Sequence, residues 1–316
     1  MRKILIIGSG RSATSLIRYL LDKSNKEKLS IAIADISLAA AEKYAAGHPN
    51  AKGIALDVSN KKQRNQAIQE SDLVISMLPA RFHIKVAKDC VKFEKHLVTA
   101  SYISKEMEAL NKEVTKKGLV FMNEIGLDPG VDHMSAMQII DRIRDKGGKM
   151  LLFESFCGGL IAPESDDNIW NYKFTWNPRN VVLAGQGGAV EFIQEGRYKY
   201  IPYHRLFRRT EIIHVEDYGK FEVYGNRNSL KYQSVYGLDN ILTLYRGTIR
   251  RVGFSKAWNM FVQLGMTDDT YTIPDSENLT YREFINLFLA YSPTDSIELK
   301  LRYALKIDQD DLMWEK

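Results

Sequence analysis

Apolar and polar positions follow a regular pattern over the first 123 residues of the chain. Short apolar runs rich in Val, Ile and Leu alternate with longer segments in which apolar residues recur at helical spacing. A strand that is buried on both faces of a parallel sheet gives such a continuous apolar run. The pattern therefore predicts five or six β-α units that form a doubly wound parallel sheet. The predicted strands are 2–7, 29–34, 53–56, 73–77, 96–99 and 119–123, and the predicted helices are 14–21, 37–46, 61–69, 84–93 and 105–117.

The pattern changes beyond residue 130, where strand-like and helix-like segments no longer alternate. Between residues 181 and 213 neither period is clear. The predicted helices here are 134–145, 256–264, 281–290 and 296–306, and the predicted strands are 149–157, 221–224, 225–229 and 243–251, the last three in an antiparallel sheet. We therefore predict two domains, 1–128 and 129–316, the second of mixed α+β structure.

A glycine-rich turn lies between the first predicted strand and the first predicted helix. It reads Gly8-Ser9-Gly10-Arg11-Ser12-Ala13, which is the G-x-G-x-x-A pattern in its required context. The first glycine allows a tight turn, the second lets the backbone approach a pyrophosphate, and the small last residue permits close helix–strand packing. The pyrophosphate would then cap the N-terminus of the helix. These six residues predict a Rossmann-type dinucleotide site.

Acidic and apolar residues follow the next strands at the same edge of the predicted sheet. Asp35 ends the second strand, about 20 residues after the turn, where a carboxylate binds the ribose hydroxyls of adenosine. Because a carboxylate repels a 2′-phosphate, NAD is predicted in preference to NADP; the alternative is a helix-capping Asp. Asp57 and Val58 are predicted beside the adenine. Leu78 and Pro79 follow the fourth strand, on the side where such sheets bind ligands.

The stretch from Asn123 to His133 joins the two predicted domains and concentrates titratable groups. It reads Asn-Glu-Ile-Gly-Leu-Asp-Pro-Gly-Val-Asp-His. Pro fixes φ, and Gly permits a positive φ and a close backbone approach, so the stretch predicts a rigid turn. A rigid turn rich in carboxylates is typical of a functional site. The alternative is an ordinary hairpin turn with a solvated acidic rim.

Composition narrows the class of protein further. The chain has 316 residues, 45% hydrophobic and 26% charged, as in a globular protein. No apolar run reaches the roughly 20 residues that span a bilayer, and the N-terminal apolar run is too short for a signal peptide. A net charge of +5 without a basic helix argues against nucleic acid and allows arginines for a small polyanionic substrate. Cys90 and Cys157 give neither a disulfide framework nor a metal spacing, which suits a reducing cytoplasm.

Several ordered motifs run along the chain. They are Gly8-Ser9-Gly10, Val74-Ile75-Ser76-Met77-Leu78-Pro79, Thr99-Ala100-Ser101-Tyr102, Asn123 to His133, Cys157-Gly158-Gly159-Leu160 with Ala162-Pro163-Glu164, Tyr172-Lys173-Phe174 with Trp176, Asn226-Arg227 with Ser229, and Arg246-Gly247-Thr248 with Arg250. In this order they resemble the L-glutamate-forming saccharopine dehydrogenases, also called saccharopine reductases, over essentially the whole chain.

The resemblance implies an activity and an architecture. The activity is NAD(P)-dependent oxidation of saccharopine to L-glutamate and 2-aminoadipate 6-semialdehyde, or its reverse, in lysine metabolism. The second domain is expected to bind the substrate and to form a homodimer. Family chains continue beyond the end of this chain and return to the nucleotide-binding domain. The chain has Ala80, Ile161, Gly225 and Asn228 where the family has Tyr, Pro, Pro and Asp.

The resemblance also implies roles for individual residues. Asp128, Tyr102 and Cys157 would lie beside the reacting carbon; Asp128 would contact the substrate ammonium or handle protons, and Tyr102 would donate a hydrogen bond to the substrate. Cys157 has a lesser role or is simply a small buried residue. The other implied substrate-binding residues are Ser101, Arg227, Arg246, Thr248 and Arg250, and further implied cofactor-binding residues are Ser101, Leu127 and Trp176. Arginines suit a substrate with three carboxylates; the alternatives are surface arginines paired with local acids and, for Trp176, a core aromatic.

Other interpretations of the same residues stay open. His83 and His96 are expected to be structural, His133 is expected to be structural with contact to the substrate as the alternative, and no His/Cys/Asp spacing predicts a metal. One rival function is a dehydrogenase for another carboxylated secondary amine, such as the carboxynorspermidine type. A second rival is a non-catalytic NAD-binding module. A homodimer is the default expectation for assembly.

Overall fold

The structure, a computed structural model, describes residues 1–186 and 188–308. It consists of two compact units, Met1–Gln138 and Ile139–Lys316, which we call the first and second units. The predicted domain 129–316 includes residues 187 and 309–316, which lie outside the described residues.

The first unit contains a parallel sheet of six strands with the order β3-β2-β1-β4-β5-β6. The strands are β1 (Arg2–Ile7), β2 (Leu29–Asp35), β3 (Ala51–Ala55), β4 (Leu73–Ser76), β5 (His96–Thr99) and β6 (Phe121–Met122). The sheet is the predicted one. The strand order reverses at β1, which pairs with both β2 and β4. Ligands bind such sheets beyond the carboxyl ends of the strands at this reversal.

Helices follow the strands of the first unit, and the last of these helices continues into the second unit. They are α1 (Thr14–Glu27), α2 (Leu38–Ala45), α3 (Lys61–Gln69), α4 (Ala80–Phe93), α5 (Lys105–Glu108), α6 (Asn111–Lys116) and α7 (Val131–Asp145). The single helix predicted at 105–117 is two helices, because Leu110 N donates to Met107 O and so leaves the α-helical pattern. The first turn of α7 is tied to the preceding loop, since Val131 N donates to Gly126 O. The first compact unit therefore extends past the predicted boundary at residue 128.

The core of the first unit lies on both faces of the sheet. Ile6 and Ile33 are fully buried on neighbouring strands, and Ile17 packs from α1. On the other face, Val74 and Val86 are fully buried between β4 and α4. Each such side chain contributes about 1.5–3 kcal/mol relative to an exposed one.

The second unit contains a mixed sheet with the order β10-β11-β12-β8-β9, and β7 also pairs with β12. The strands are β7 (Leu152–Cys157), β8 (Val190–Gln194), β9 (Arg197–Ile201), β10 (Thr210–Val215), β11 (Gly219–Gly225) and β12 (Thr243–Arg251). The predicted antiparallel pairing holds for β11 and β12, whereas β7 runs parallel to β12. The strand predicted at 225–229 is wrong beyond Gly225, because Arg227 has a φ of 48° and turns the chain into a loop.

The segment with no clear period contains three strands. β8 and β9 form a hairpin whose two turn residues, Glu195 and Gly196, have φ values of 52° and 74°. Two central residues with positive φ are typical of the turn that matches the twist of a two-residue hairpin. The pair Glu195-Gly196 therefore indicates a turn, but the polar residues of the two flanking strands gave no clear strand pattern beside it.

The helices of the second unit after α7 are short. They are α8 (Pro178–Val182), α9 (Lys231–Val235), α10 (Phe254–Leu264), α11 (Tyr281–Asn286) and α12 (Ile297–Leu305). Glu222 of β11 accepts hydrogen bonds from Gly253 N at 3.0 Å and from Ser255 N, and so caps the N-terminus of α10. In α10, the rings of Phe254 and Trp258 stack with their centroids 5.3 Å apart.

A buried ion pair joins two helices of the first unit. Arg64 of α3 donates from Nε to Asp89 Oδ2 of α4 at 2.6 Å, and both side chains are less than a tenth exposed. The guanidinium also donates from Nη1 to the carbonyl oxygen of Val58. The pair therefore holds the loop after β3 against the helices.

Replacing Asp89 with Asn leaves the buried Arg64 guanidinium without a compensating charge. We expect the free energy of unfolding of the first unit to fall by about 3–5 kcal/mol. The control is Glu94→Gln, which breaks the exposed pair of Lys117 Nζ and Glu94 Oε1, 3.2 Å apart, and is expected to change that free energy by less than about 1 kcal/mol. Urea unfolding followed by far-ultraviolet circular dichroism measures both variants. Equal losses would contradict the special role of the buried pair.

Candidate functional site

The glycine-rich turn has the shape that a pyrophosphate needs. Gly8 has a φ of 103°, and a Cβ atom there would lie 3.0 Å from Met77 O, so the turn packs against the end of β4. A Cβ atom on Gly10 would meet no protein atom within 4 Å, which leaves the space above its backbone open. Ala13 is fully buried where α1 begins. The predicted residues Gly8, Ser9, Gly10, Arg11, Ser12 and Ala13 thus form a cradle at the carboxyl end of β1 that fits a dinucleotide.

Asp35 is hydrogen-bonded directly to this turn. Its Oδ2 accepts from Ser9 N at 2.9 Å and from Ser9 Oγ at 2.8 Å, and its Oδ1 accepts from Ser37 N at 3.1 Å. Partial burial acts to raise the pKa of Asp35, but these hydrogen bonds outweigh it and leave the pKa below its ordinary value. A charged carboxylate is therefore fixed at the carboxyl end of β2, where it was predicted.

The other predicted cofactor contacts of the first unit follow β3, β4 and β5. Asp57 is exposed after β3, and its Oδ1 accepts from Ser59 N at 2.8 Å. Val58 is buried, and its carbonyl is held by Arg64. Leu78 and Pro79 lie between β4 and α4. All of these residues lie at the carboxyl edge of the sheet.

A buried histidine connects the ends of β4 and β5. His83 Nδ1 lies 2.9 Å from Ser76 Oγ, and His83 Nε2 lies 2.8 Å from Ser101 Oγ. Burial lowers the pKa of His83 to about 4, so the imidazole is neutral near pH 7. The sequence predicts that Ser101 binds both cofactor and substrate. Its hydroxyl is hydrogen-bonded to the neutral ring of His83.

The loop from Asn123 to His133 depends on a close approach of two glycines. Gly126 N donates to Pro129 O at 2.8 Å, and Gly130 lies beside Gly126 with a φ of 150°. A Cβ atom on Gly130 would lie 2.1 Å from Gly126 O, a distance that no rearrangement of a side chain can relieve. Glycine at position 130 is thus a steric requirement of the loop that carries Asp128.

The acidic residues at the ends of this loop are bound to neighbouring groups. Glu124 has a φ of 57°, and its Oε1 accepts from Ile103 N at 2.9 Å. Its Oε2 lies 3.0 Å from His133 Nε2. Asp132 Oδ1 accepts from Gly130 N at 2.7 Å. These groups hold the loop in place, so they do not form a solvated acidic rim.

Asp128 and Tyr102 are brought together at the centre of the loop. Tyr102 Oη donates to Asp128 Oδ1 at 2.5 Å, although the two residues lie on separate loops. Tyr102 is 37% exposed and Asp128 is half-buried, so a ligand can reach both. Leu127, a predicted cofactor contact, is exposed beside them. A hydrogen-bonded phenol and carboxylate of this kind can exchange a proton with a bound ligand.

In the second unit, four predicted residues share one face of the sheet. Arg246, Thr248 and Arg250 alternate along β12 and so point to the same side. Cys157 of β7 is in register with Thr248. Arg246 and Arg250 are 4% and 5% exposed, whereas Thr248 and Cys157 are half-buried.

Arg250 lies among aromatic rings. Its guanidinium is 5.0 Å from the ring centre of Tyr172 and 5.3 Å from that of Phe254, and its Nη1 donates to Ile249 O at 3.0 Å and to Gly159 O at 3.4 Å. In the parts of the chain that the structure describes, Arg250 forms no ion pair and its Nε has no hydrogen-bond partner. A buried cation without a carboxylate partner is suited to binding an anion.

The side chain and the backbone of Arg246 each contact a neighbouring residue. Its guanidinium lies 4.2 Å from the ring centre of Tyr232, and its backbone N donates to Ser229 Oγ at 2.9 Å. Tyr172, whose ring lies beside Arg250, is a neutral phenol at physiological pH. Burial raises the pKa of Tyr172, and the charge of Arg250 opposes that rise only in part.

Two predicted residues of the second unit are not part of this face. Arg227 is exposed in the loop after β11, and Trp176 is 45% exposed in an irregular segment. Asn228, one of the departures from the family pattern, donates from Nδ2 to Glu191 Oε2 at 2.5 Å. An aspartate at this position would face the Glu191 carboxylate, which explains why the amide suits this chain.

The connection made by His83 could not be predicted from the sequence. His83 is expected there to be structural, because nothing in the sequence shows that Ser76, His83 and Ser101 meet. The only signal was that Ser76 lies near the end of one predicted parallel strand and Ser101 just after the end of another, and such carboxyl ends share an edge. The described residues contain no cluster of three or more His, Cys, Asp or Glu suited to a metal ion, and none of their helices is long and apolar enough to cross a bilayer.

The parallel sheet, the glycine-rich turn and the acid after β2 together define a Rossmann-type dinucleotide-binding unit. Residues 4–122 match the family model described as the saccharopine dehydrogenase NADP binding domain, and residues 126–313 match the saccharopine dehydrogenase C-terminal domain. The chain therefore belongs to the saccharopine dehydrogenase family, as the ordered motifs predicted.

Three relatives show the extent of the similarity. The saccharopine dehydrogenase (NADP(+), L-glutamate-forming) of Schizosaccharomyces pombe is 37% identical over 286 residues, which cover 90% of this chain and 63% of that enzyme. The mitochondrial alpha-aminoadipic semialdehyde synthase of Mus musculus is 36% identical over 292 residues, or 90% of this chain and 31% of that protein. The solved structure of apo saccharopine dehydrogenase (L-Glu forming) from Saccharomyces cerevisiae matches with a TM-score of 0.83 and 30% identity, covering 100% of this chain and 70% of that one. The chain thus spans less than two thirds of the first relative.

Proposed function

We propose that the protein is a nicotinamide-dependent oxidoreductase that oxidises saccharopine. The substrate is a secondary amine, and oxidation at the carbon that was the lysine ε-carbon removes a hydride and the nitrogen-bound proton to give an imine. Water then adds to the imine carbon and the C–N bond breaks, which yields L-glutamate and 2-aminoadipate 6-semialdehyde. The names of the relatives support this substrate.

The observation that carries the proposal is the buried Arg250. Taking a guanidinium out of water is unfavourable unless an anion compensates its charge. Rings of Tyr172 and Phe254 stabilise the cation only in part. Saccharopine carries three carboxylates, and a carboxylate accepts two parallel hydrogen bonds from a guanidinium. Arg246 and Thr248 on the same face supply further donors, so this face is suited to an amino acid with several carboxylates.

Tyr102 and Asp128 are proposed to handle protons. In the short hydrogen bond between them the phenol of Tyr102 donates to the carboxylate of Asp128, which a ligand can reach. In this role Asp128 takes the proton of the substrate ammonium, and the pair assists the attack of water and the departure of the amine. Cys157 is half-buried in register with Thr248, and we assign it no more than contact with the substrate.

The cofactor is proposed to be held by the turn from Gly8 to Ala13 and by Asp35. A bound nicotinamide supplies the hydride acceptor for the oxidation. The names of the family model and of the fungal relatives favour NADP. The charge on Asp35 favours NAD, because a 2′-phosphate would approach a carboxylate that three hydrogen bonds keep ionised. We propose that NAD is preferred by this chain. The homodimer and the cytoplasmic location stay predictions.

Turnover of saccharopine tests the function directly. We expect reduced-nicotinamide absorbance to rise when the chain is mixed with saccharopine and NAD. Replacing Asp128 with Asn should lower kcat by about 10²–10⁴-fold, the usual contribution of a general acid or base. Because the amide keeps the shape of the carboxylate, cofactor affinity should change little. Unchanged turnover in the Asn variant would contradict the role of Asp128, and no turnover by the parent chain with either cofactor would contradict the function.

Variants of two neighbouring arginines test whether the buried cation binds the substrate or whether any positive charge on β12 has the same effect. Arg250→Met keeps much of the side-chain volume and removes the buried cation, so we expect the KM for saccharopine to rise by more than about tenfold, the loss of a charge-assisted hydrogen bond. Arg251 is the control: it points to the other face of β12, with its guanidinium 4.7 Å from the ring centre of Phe221. Arg251→Met should leave KM unchanged. Similar effects of the two variants on KM would argue against a carboxylate site at Arg250.

Asp35→Ser tests the cofactor preference. Removing the carboxylate abolishes its repulsion of a 2′-phosphate, so the ratio of kcat/KM for NAD to that for NADP should fall by at least about tenfold. Asp72→Asn is a control at the opposite end of the sheet, where Asp72 Oδ2 accepts from Lys3 N at 2.7 Å. A parent chain that already prefers NADP would overturn the assignment based on Asp35.

A further inference from the structure

The hydrogen bonds around His83 fix which of its two ring nitrogens carries the proton. Ser76 is fully buried, and within the described residues its hydroxyl contacts only His83 Nδ1 as a hydrogen-bond partner. If Nδ1 carried the proton, the Ser76 hydroxyl would accept it and its own hydrogen would be buried without an acceptor. An unsatisfied buried donor is strongly unfavourable. The Ser76 hydroxyl therefore donates to Nδ1, and the ring proton lies on Nε2.

This tautomer determines what Ser101 can do. His83 Nε2 then donates to Ser101 Oγ across the 2.8 Å contact. The oxygen of Ser101 is occupied as an acceptor, so its own O–H must point elsewhere. Ser101 is half-buried at the carboxyl end of β5, and among the residues that the structure describes its hydroxyl has no other hydrogen-bond partner. Its hydrogen is therefore available to a ligand.

We propose that His83 is a positioning residue that fixes Ser101 as a hydrogen-bond donor toward an acceptor oxygen of the bound ligand. The acceptor is a carbonyl or carboxylate oxygen, which both the nicotinamide carboxamide and the substrate supply. The inference rests on the proposed function for the identity of these ligands. The proposal gives His83 a role that could not be inferred from the burial of this α4 residue alone.

We call the hydrogen-bonded residues Ser76, His83 and Ser101 the relay. The environment of His83 keeps this relay fixed and without charge. The ring is 5% exposed, and both of its nitrogens contact hydroxyl groups, with no carboxylate bonded to either. A neutral imidazole adds no charge next to the cofactor. A protonated ring would donate from both nitrogens and leave the buried hydrogen of Ser76 without an acceptor, so the relay also opposes protonation.

The first test reads the tautomer without any ligand. The chain has six histidines, and nitrogen-15 NMR of the imidazole rings distinguishes a protonated from an unprotonated nitrogen. The ring signals of His83 are assigned by their loss in His83→Gln. We expect Nε2 to be protonated and Nδ1 to be unprotonated at pH 7. A protonated Nδ1 would overturn the proposal, whatever the chain catalyses.

The second test is a double-mutant cycle on ligand binding. Dissociation constants for NAD and NADH and the KM for saccharopine are measured for Ser101→Ala, His83→Phe and the double variant. Loss of one hydrogen bond predicts about tenfold weaker binding in each single variant. If His83 acts through Ser101, the double variant loses no more than Ser101→Ala does. Additive losses would overturn the proposal.

The same cycle identifies the ligand. Weaker binding of the dinucleotide alone assigns the acceptor oxygen to the cofactor, and a raised KM with unchanged dinucleotide affinity assigns it to the substrate. His83→Gln keeps a donor near the position of Nε2 and should restore most of the affinity that His83→Phe loses. His96→Gln is a matched control, because His96 Nδ1 accepts only a structural hydrogen bond from Val120 N at 3.0 Å.

Failure of this proposal can be told apart from failure of the proposed function. A chain that binds a dinucleotide through Ser101 but does not turn over saccharopine would retain the relay and refute the reaction. A chain that oxidises saccharopine with normal KM and normal dinucleotide affinity in all three variants would retain the reaction and refute the relay. Binding of neither ligand by the parent chain would overturn both.

Discussion

The first unit depends on one constraint: polar groups at the carboxyl edge of a sheet buried on both faces must find partners close to the protein core. Five of the six strand ends meet this constraint through side-chain hydrogen bonds to a neighbouring segment. Ser9 donates to Asp35 between the ends of β1 and β2, and Thr99 Oγ1 donates to Asn123 Oδ1 at 3.0 Å between those of β5 and β6. His83 joins β4 to β5 in the same way. The candidate site is thus built from the hydrogen bonds that satisfy the edge of the fold.

A different balance governs the second unit, where Arg246 and Arg250 are buried on one sheet face. Desolvation of a guanidinium is unfavourable, and an aromatic ring returns only about 0.5–2 kcal/mol. Glu222, in register with Arg250, is not its ion-pair partner, because its carboxylate caps the N-terminus of α10. The nearest cross-strand acid is therefore engaged elsewhere. In the proposed function the carboxylate of the ligand supplies the anion that Arg250 lacks.

The sequence predicted most of the first unit because parallel strands and their helices carry strong local signals. β1, α3 and β5 have the predicted bounds. The strands in 181–213 were missed, because edge and hairpin strands with exposed Arg, Tyr and Glu lack the alternation of a half-buried sheet. Candidate residues such as Asp35 and Asp128 could be named only where a motif contained them. The link from Ser76 through His83 to Ser101 was not predictable, because it depends on strand neighbours that are distant in sequence.

Asp35 shows how a motif residue gains its chemical character from the structure. Its carboxylate would be a weak guide to the cofactor if it were free to turn toward solvent or to take up a proton. Two hydrogen bonds from Ser9 prevent both, because they orient Oδ2 and lower the pKa of the acid. Ser9 also belongs to the turn that would hold the pyrophosphate. The residue proposed to distinguish the two dinucleotides and the turn proposed to bind their shared part are therefore one hydrogen-bonded element. In our proposal the cofactor preference of this chain is a property of that element, and it need not follow the names of relatives whose sequences differ from this chain at about two positions in three.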